Sequence, residues 1–271
     1  MKPLMEFLKT AKWTHVLAGI VSVSVVQAGT LWAMSQSYHL FFAAEEAKQK
    51  SFLERYGRPT QAQRMEAYTW MAPHYDQNVS QLEAGIADHF RKEVFADASG
   101  DVLEVAVGTG RIFKFLDASK VKRYVGVDLN EAMLEEARKK LPALTFDARV
   151  VRSDGHALPF SDASFDTVVG SLCLCAMEHP EKALQEMLRV CRPCGKVLLL
   201  EAGIAEKPIV RWGQRHLGVV PNPTHEWEFA YRDDNDVLGL LRACEGLKVD
   251  KVQTRGMGNW YLVWASHSDS E

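Results

Sequence analysis

The sequence predicts an α/β fold: a mostly parallel seven-stranded sheet with an antiparallel last strand, preceded by one transmembrane helix. Three observations carry this expectation. Between residues 102 and 201, short apolar runs alternate with helix-compatible segments, the pattern of parallel strands joined by crossover helices. Near the C-terminus two further apolar runs flank GlyMetGlyAsn (256 to 259), a hairpin turn that reverses the last strand. From Trp13 to Ala44 there is no Asp, Glu, Lys or Arg, and at about 1.5 Å per residue the run 16–34 reaches across a hydrocarbon core of roughly 30 Å.

Taken in order, residues 1–42 form the N-terminal membrane segment. Trp13 and Trp32 lie near the ends of the apolar run, where amphipathic rings favour the interface. Lysines flank both sides, Lys9 and Lys12 before it and Lys48 and Lys50 after it, so the orientation stays open. A cleaved signal peptide fits less well, because the run is too long and no clean small-residue cleavage site follows it. Ser22, Ser24, Gln27 and Thr30, with Gly29 and Ala33 at small-xxx-small spacing, give one face that suits a transmembrane partner; hydroxyls bonding back to their own helix are the alternative. Residues 43–65 are charged and interrupted by Gly57 and Pro59, a linker to a globular domain over 66–271.

Within that domain, helices are expected around 67–72 and 79–95, and AspAlaSerGly (97 to 100) turns into the first strand. Strands follow at 102–107, 123–127, 147–151, 165–171 and 195–201, with helices at 110–117, 131–140 and 180–190 between them. A Trp-rich irregular segment spans 205–230, then a helix around 234–243 and strands 247–254 and 259–266. A chain of 271 residues that is 47% hydrophobic and 25% charged buries one such domain and an appendage. The net charge of −3 leaves no extended basic face, so no nucleic acid is expected as a partner. Five cysteines, an odd set lying in strands and helix ends, point to a reducing compartment rather than to a disulfide framework.

The stretch ValLeuGluValAlaValGlyThrGly (102 to 110) holds the chemistry. A carboxylate in an apolar strand is costly unless a cation or several donors meet it, so Glu104 reads as a ligand contact, and Gly108 and Gly110 form a turn at the strand's end. The third glycine of a dinucleotide fingerprint would fall at Phe113, whose bulk excludes that reading. Asp128 closes the second strand, 18 residues after Gly110, and Asp154 follows the third. Each has an ordinary alternative: an N-cap for either aspartate, an ion pair for Glu104. Three carboxylates at the ends of three successive parallel strands instead suit a cationic ligand with ribose hydroxyls and no phosphate. S-adenosylmethionine (SAM) is such a ligand.

The chain resembles the class I SAM-dependent methyltransferases, type 11 group, over roughly residues 66 to 201. The motifs are MAPHYD (71 to 76), EVAVGTG (104 to 110), VGVDLNEAML (125 to 134), SDGHALPFSDASFD (153 to 166) and LRVCRPCGKVLLLE (188 to 201). The resemblance implies a Rossmann-like sheet and SAM as cofactor. It also implies Gly108 and Gly110 beside the methionine part, Asp128 on the ribose, Leu129 and Met133 against the adenine, Asp154 and Gly155 at its polar edge, and Tyr75 over the cofactor. Two positions depart from the pattern. Ala106 replaces the usual first glycine and is harmless if it keeps a negative φ, and Cys194 replaces a glycine of an ArgProGlyGly turn, leaving Gly195 to supply the unusual backbone angle.

With the membrane segment, LeuCysAlaMetGluHisPro (174 to 180) and GlyAsnTrpTyr (258 to 261) narrow the likeness. It is similar to single-span methyltransferase-like proteins of the fungal mitochondrial inner membrane and, more distantly, to membrane-bound animal thiol methyltransferase-like proteins.

Methyl transfer is accelerated largely by positioning, so the lack of an obvious base excludes nothing. His179 is the candidate base if the acceptor must lose a proton; capping the helix that starts at Pro180 is its alternative, and His156 shares the ambiguity. Cys173 and Cys175, with Cys191 and Cys194, have zinc-like spacings, but small apolar thiols suit the core, and no metal site is expected. Arg211, Trp212, Arg215, His216, His225 and Trp227 cover the acceptor pocket, lie on the membrane or simply pack.

Two functions follow. One is a membrane-tethered SAM-dependent methyltransferase, held by residues 13–34 and acting on an unidentified acceptor such as a quinone, a thiol or a protein. The other is an accessory or assembly subunit of a respiratory inner-membrane complex that binds SAM with little or no turnover. The expected location is the mitochondrial inner membrane, with the endoplasmic reticulum membrane as the alternative.

Overall fold

A computed structural model of the chain describes residues 47, 50–78, 86–216, 226–227 and 230–268. The expected membrane segment, including residues 13–34, lies outside the described residues. Among those described, no helix is long and apolar enough to cross a membrane.

Seven strands form one sheet: β1 (Gly100–Val105), β2 (Val121–Asp128), β3 (Asp147–Arg152), β4 (Phe165–Ser171), β5 (Cys191–Ala202), β6 (Leu247–Arg255) and β7 (Trp260–His267). Their order is β3-β2-β1-β4-β5-β7-β6. β1 to β5 are mutually parallel, while β7 runs antiparallel to both β5 and β6. This is the expected Rossmann-like sheet. The central strands are buried on both faces and therefore read as continuous apolar runs.

Helices α1 (Gln61–Met71), α2 (Ile86–Phe95), α3 (Glu131–Arg138), α4 (Pro180–Val190), α5 (Pro208–His216) and α6 (Val237–Ala243) accompany it. On one face, Leu103, Val105, Val168 and Leu199 pack with Leu184 and Met187 of α4. On the other, Val102, Tyr124 and Leu198 pack with Phe90, Val94 and Phe95 of α2. Because strand side chains alternate faces, Glu104 belongs to the α2 side and Glu201 to the α4 side.

Several expectations change. No helix forms over 110–117; the segment is a turn followed by a 3-10 turn at Phe113–Phe115. Gly110 has φ +77, and a Cβ there would lie 2.3 Å from the Phe113 ring, so Phe113 folds back beneath the glycine instead of starting a helix. β5 begins at Cys191, not at 195. Its pairing with β4 jumps from Phe165↔Cys191 to Thr167↔Lys196, and Pro193, which cannot donate to the ladder, falls inside that irregularity. Gly195 is not among the glycines with positive φ. It serves close packing instead, since a Cβ there would approach Cys191 Sγ at 2.7 Å and the Asp166 carbonyl at 2.8 Å.

Ala106 does not meet the condition under which its replacement of a glycine is harmless, a negative φ, and adopts φ +56. The left-handed conformation costs a non-glycine residue about 1–2 kcal/mol, against about 0.5–1 kcal/mol for the extra unfolded-state freedom of glycine. Ala106→Gly is therefore expected to stabilise the fold by roughly 0.5–1 kcal/mol, read as a raised midpoint in denaturant titration with an unchanged slope.

Residues 49–271 form one compact unit. The part of the expected linker from Arg58 to Met65 is bonded into it. The Arg64 side chain is 3% exposed and pairs with Glu226, and Arg58 lies 2.8 Å from Glu226 and 2.5 Å from Asp234. Two of the charges in the expected linker, Arg58 and Arg64, thus have ion-pair mates over 160 residues away, while Lys50 and Glu54 pair locally and stay exposed.

Candidate functional site

The carboxyl ends of β1, β2 and β4 and the loop after β3 open into one cavity, roofed by α1. At its centre lies the turn after β1. Gly108 has φ +53, and a Cβ there would meet no atom within 4 Å, so the backbone faces open space that a ligand can approach closely. Asp128 braces this turn from β2: its Oδ2 accepts the Gly108 N–H at 2.8 Å and its Oδ1 accepts the Asn130 N–H at 2.8 Å. Burial nevertheless pushes its carboxyl above the ordinary aspartate value. Asp76 supports the turn from outside, accepting a bond from the Thr109 hydroxyl at 2.6 Å.

Glu104 lies on the cavity wall with 2% of its surface exposed. Burial raises its carboxyl to about 8, partly opposed by the Tyr124 hydroxyl, which donates to Oε2, and by the nearby Arg91 guanidinium. Arg91 comes from α2, lines the same cavity, and donates to Ser171 Oγ at 3.1 Å and to Asp88 at 2.9 Å. A carboxyl and a guanidinium side by side can hold the two ends of a zwitterionic amino acid.

Leu129 and Met133 form an apolar part of the wall, with Asp154 and Gly155 beyond them. Gly155 lets the wall pack closely, since a Cβ there would come within 2.9 Å of Met177 Cε and 3.1 Å of Val105 Cγ1 and the Met177 side chain would have to shift. His156 donates from its backbone and from Nδ1 to Asp154 Oδ1, at 2.9 and 2.7 Å, and its Nε2 accepts the His179 N–H at 3.3 Å. Those bonds fix the Nδ1-protonated tautomer and leave the ring without a free base nitrogen.

Of the residues expected at the site, Tyr75, Glu104, Gly108 and Asp128 share this cavity with Leu129, Met133, Asp154 and Gly155. Gly110 does not line it and serves the turn. His179 is not brought to the wall either. Its side chain is 51% exposed and lies 3.4 Å from Glu181, and although it occupies the N-cap position of α4, it makes no side-chain cap bond. Four of the five cysteines are buried and Cys194 is exposed, and among the described residues no His, Cys, Asp and Glu cluster could hold a metal. His225 lies outside the described residues. Trp212 of α5 is half-exposed, and Trp227 donates to the Gly57 carbonyl at 3.1 Å.

The roof was missed by the sequence reading. Gln61, Met65 and Tyr68 of α1 line the cavity. The helix is tied on one side through Arg64 to the Ala230 carbonyl at 2.8 Å, and on the other by Asn130, which donates to the Met65 carbonyl at 2.8 Å. Arg91 was also missed. Its signal was present, because it shares the helical stripe of Ala87, Val94 and Phe95.

A methyltransferase-domain family profile matches residues 103–199. The chain is 31% identical over 164 residues to the demethylmenaquinone methyltransferase of Lactobacillus johnsonii, covering 57% of this chain and 67% of that protein. It is 31% identical over 154 residues to the mitochondrial methyltransferase OMS1 of Saccharomyces cerevisiae, covering 50% of this chain and 33% of that one. The matches thus span between a third and two thirds of these relatives. A solved SAM-dependent methyltransferase from Thermotoga maritima superposes with TM-score 0.52 at 19% identity, covering 75% of this chain and 99% of that one. The cyclase SpnF superposes with TM-score 0.59 at 16% identity, covering 78% and 97%. At such identities the superpositions establish the fold and leave the reaction to the site.

Proposed function

This chain belongs to the class I SAM-dependent methyltransferases, and from that premise we propose that it methylates a lipophilic small molecule of the quinone class while tethered to a membrane. S-adenosylmethionine is its cofactor and, when bound, supplies an electrophilic methyl group on a sulfonium. The observation that carries the reading is the convergence of Glu104, Asp128 and Asp154 on one cavity beside the open backbone of Gly108. These groups match the cofactor's parts: Glu104 an ammonium, Arg91 a carboxylate, Asp128 two ribose hydroxyls, Asp154 an amino edge, with Leu129 and Met133 excluding water from an apolar ring.

Among the other wall residues, Met65, Tyr68, Leu172 and Met177 are apolar or aromatic and would orient a flat apolar acceptor. With His156 committed to Asp154 and His179 outside the wall, the chain's contribution is orientation and exclusion of water rather than a dedicated base. The quinone class is supported by the substrate in the name of the Lactobacillus relative. Tethering through residues 13–34 and a mitochondrial location are supported by the charge-free run from Trp13 to Ala44 and by the likeness to OMS1. Gln27, Gly29 and Ala33 on that run suit a transmembrane partner.

The test uses the purified full chain in detergent. SAM binding is expected by calorimetry, together with transfer of labelled methyl from SAM to demethylmenaquinol and not to a small thiol. Transfer to the thiol alone overturns the quinone class. Binding without transfer to any acceptor favours the accessory-subunit reading instead.

A further inference from the structure

Glu201 is a second fully buried carboxyl, on the face of the sheet opposite Glu104. It closes the apolar run of β5 with 0% of its surface exposed. Its Oε1 gathers three donors from the turn after β4: the Cys173 N–H at 3.0 Å, the Leu174 N–H at 3.1 Å and the Cys173 thiol at 3.3 Å. That turn is otherwise unfavourable. Leu172 is held at φ +55, with its N–H on the Leu200 carbonyl at 2.7 Å. Cys173 Sγ occupies the space of a side chain at Gly170, where a Cβ would lie 2.5 Å away. Yet Leu172, Cys173 and Ala176 from this turn line the cavity. One carboxyl therefore anchors a wall of the site without reaching the site itself.

The other oxygen, Oε2, is buried and has no hydrogen-bond partner among the described residues. An ionised carboxylate so placed is half-satisfied, and burial raises Glu201 to about 7. The groups that face it are few. From the turn come the Cys173 and Cys175 thiols, both pushed well up by burial and by Glu201 itself, while Arg64 and Arg232 act on Cys175. From β7, Tyr261 is the cross-strand neighbour, with its hydroxyl donating to the Ile204 carbonyl. Among the described residues, no bonded cation fixes the charge of Glu201.

We propose that Glu201 is the positioning residue for the methyl acceptor: protonated, it holds the Leu172–Ala176 wall in place, and ionised, it loosens it. This rests on the methyltransferase reading above. The physical basis is linkage: the closed wall buries the carboxyl with Oε2 unpartnered, which favours the neutral form, whereas the ionised form gains from any opening that admits water. The wall loosens as pH rises through neutrality, and acceptor binding weakens with it, while the cofactor contacts of Glu104 and Asp128 lie on the opposite face of the sheet.

The experiment compares the full-length protein with Glu201→Gln, whose amide oxygen still accepts both N–H bonds but cannot ionise. Amide hydrogen exchange is read as protection relative to intrinsic rates at pH 6 and pH 8. In the parent protein, protection of the Cys173 and Leu174 amides should fall on the order of fivefold to tenfold between those values, and in Glu201→Gln it should stay flat. The KM for demethylmenaquinol as probe should rise by a similar factor in the parent only. The SAM Kd should agree between the two proteins within about twofold at each pH. Equal exchange profiles in the two proteins, or a changed exchange profile with identical KM profiles, overturn the proposal alone. Absence of transfer by the parent at every pH overturns the methyltransferase reading together with it.

Discussion

Asp128→Ala raises the Kd for SAM by about 10- to 100-fold, a loss of roughly 1.5–3 kcal/mol, while the protein stays folded. The size follows from two contributions with one origin. The carboxylate offers charge-assisted acceptance to a vicinal diol, and it also fixes the glycine turn by taking the Gly108 and Asn130 N–H groups. Alanine removes both, leaving the Gly108 N–H to find water and the turn free to close over the space it now keeps open. Asp128→Asn separates them, since its amide oxygen can keep one backbone bond while the charge is lost, and it should fall between parent and alanine. Calorimetric titration with SAM checks the series. Equal affinity for Asp128→Ala and the parent places the ribose elsewhere.

Binding of SAM near pH 7 releases close to one proton, and Glu104→Gln abolishes this release. With its carboxyl raised to about 8, Glu104 is mostly protonated at neutral pH, and a cationic ligand selects the ionised form. Affinity therefore rises with pH until about 8 and then levels, by roughly fiftyfold between pH 6 and pH 8. The stability linkage has the opposite direction. A folded-state value above the unfolded 4.5 means that the contribution of Glu104 is complete below 4.5 and is lost as pH rises through about 8. Glu104→Gln, which still accepts from the Tyr124 hydroxyl, should thus unfold at higher temperature than the parent at pH 8 without ligand, yet bind SAM about tenfold more weakly there. Titration in two buffers of different ionisation enthalpy counts the proton. The same apparent release from the parent and from Glu104→Gln would move the proton to another group.

The parts of the site legible in the sequence are those where one residue violates its own context. Glu104 and Asp128 interrupt or end apolar strands, and β4 and α4 have the expected bounds because their periodicity is unbroken. Glu201 in ValLeuLeuLeuGlu carries the same signal as Glu104 and could have been singled out by it. Tyr124 gives no such signal, because a tyrosine in a strand reads as core until its hydroxyl is seen on Glu104. Backbone angles were not legible either: Ala106 takes φ +56 where the sequence offers no glycine, and Gly195 declines the role its identity suggests. Helical spacing at Ile112, Phe113 and Leu116 was real, but Gly110 turned it into a tucked ring. The clasp of Arg58 and Arg64 on Glu226 and Asp234 joins positions too distant in sequence for any local rule to pair.

That clasp bears on how the site opens. The roof over the cavity is α1, and Arg58 and Arg64, just before and within its first turn, fasten it to Glu226. Moving Met65 and Tyr68 off the cavity would pull on those pairs, and a buried guanidinium stripped of its carboxylate is costly. Ligand entry and ligand escape thus meet the same ion-pair latch, made of residues that do not line the cavity.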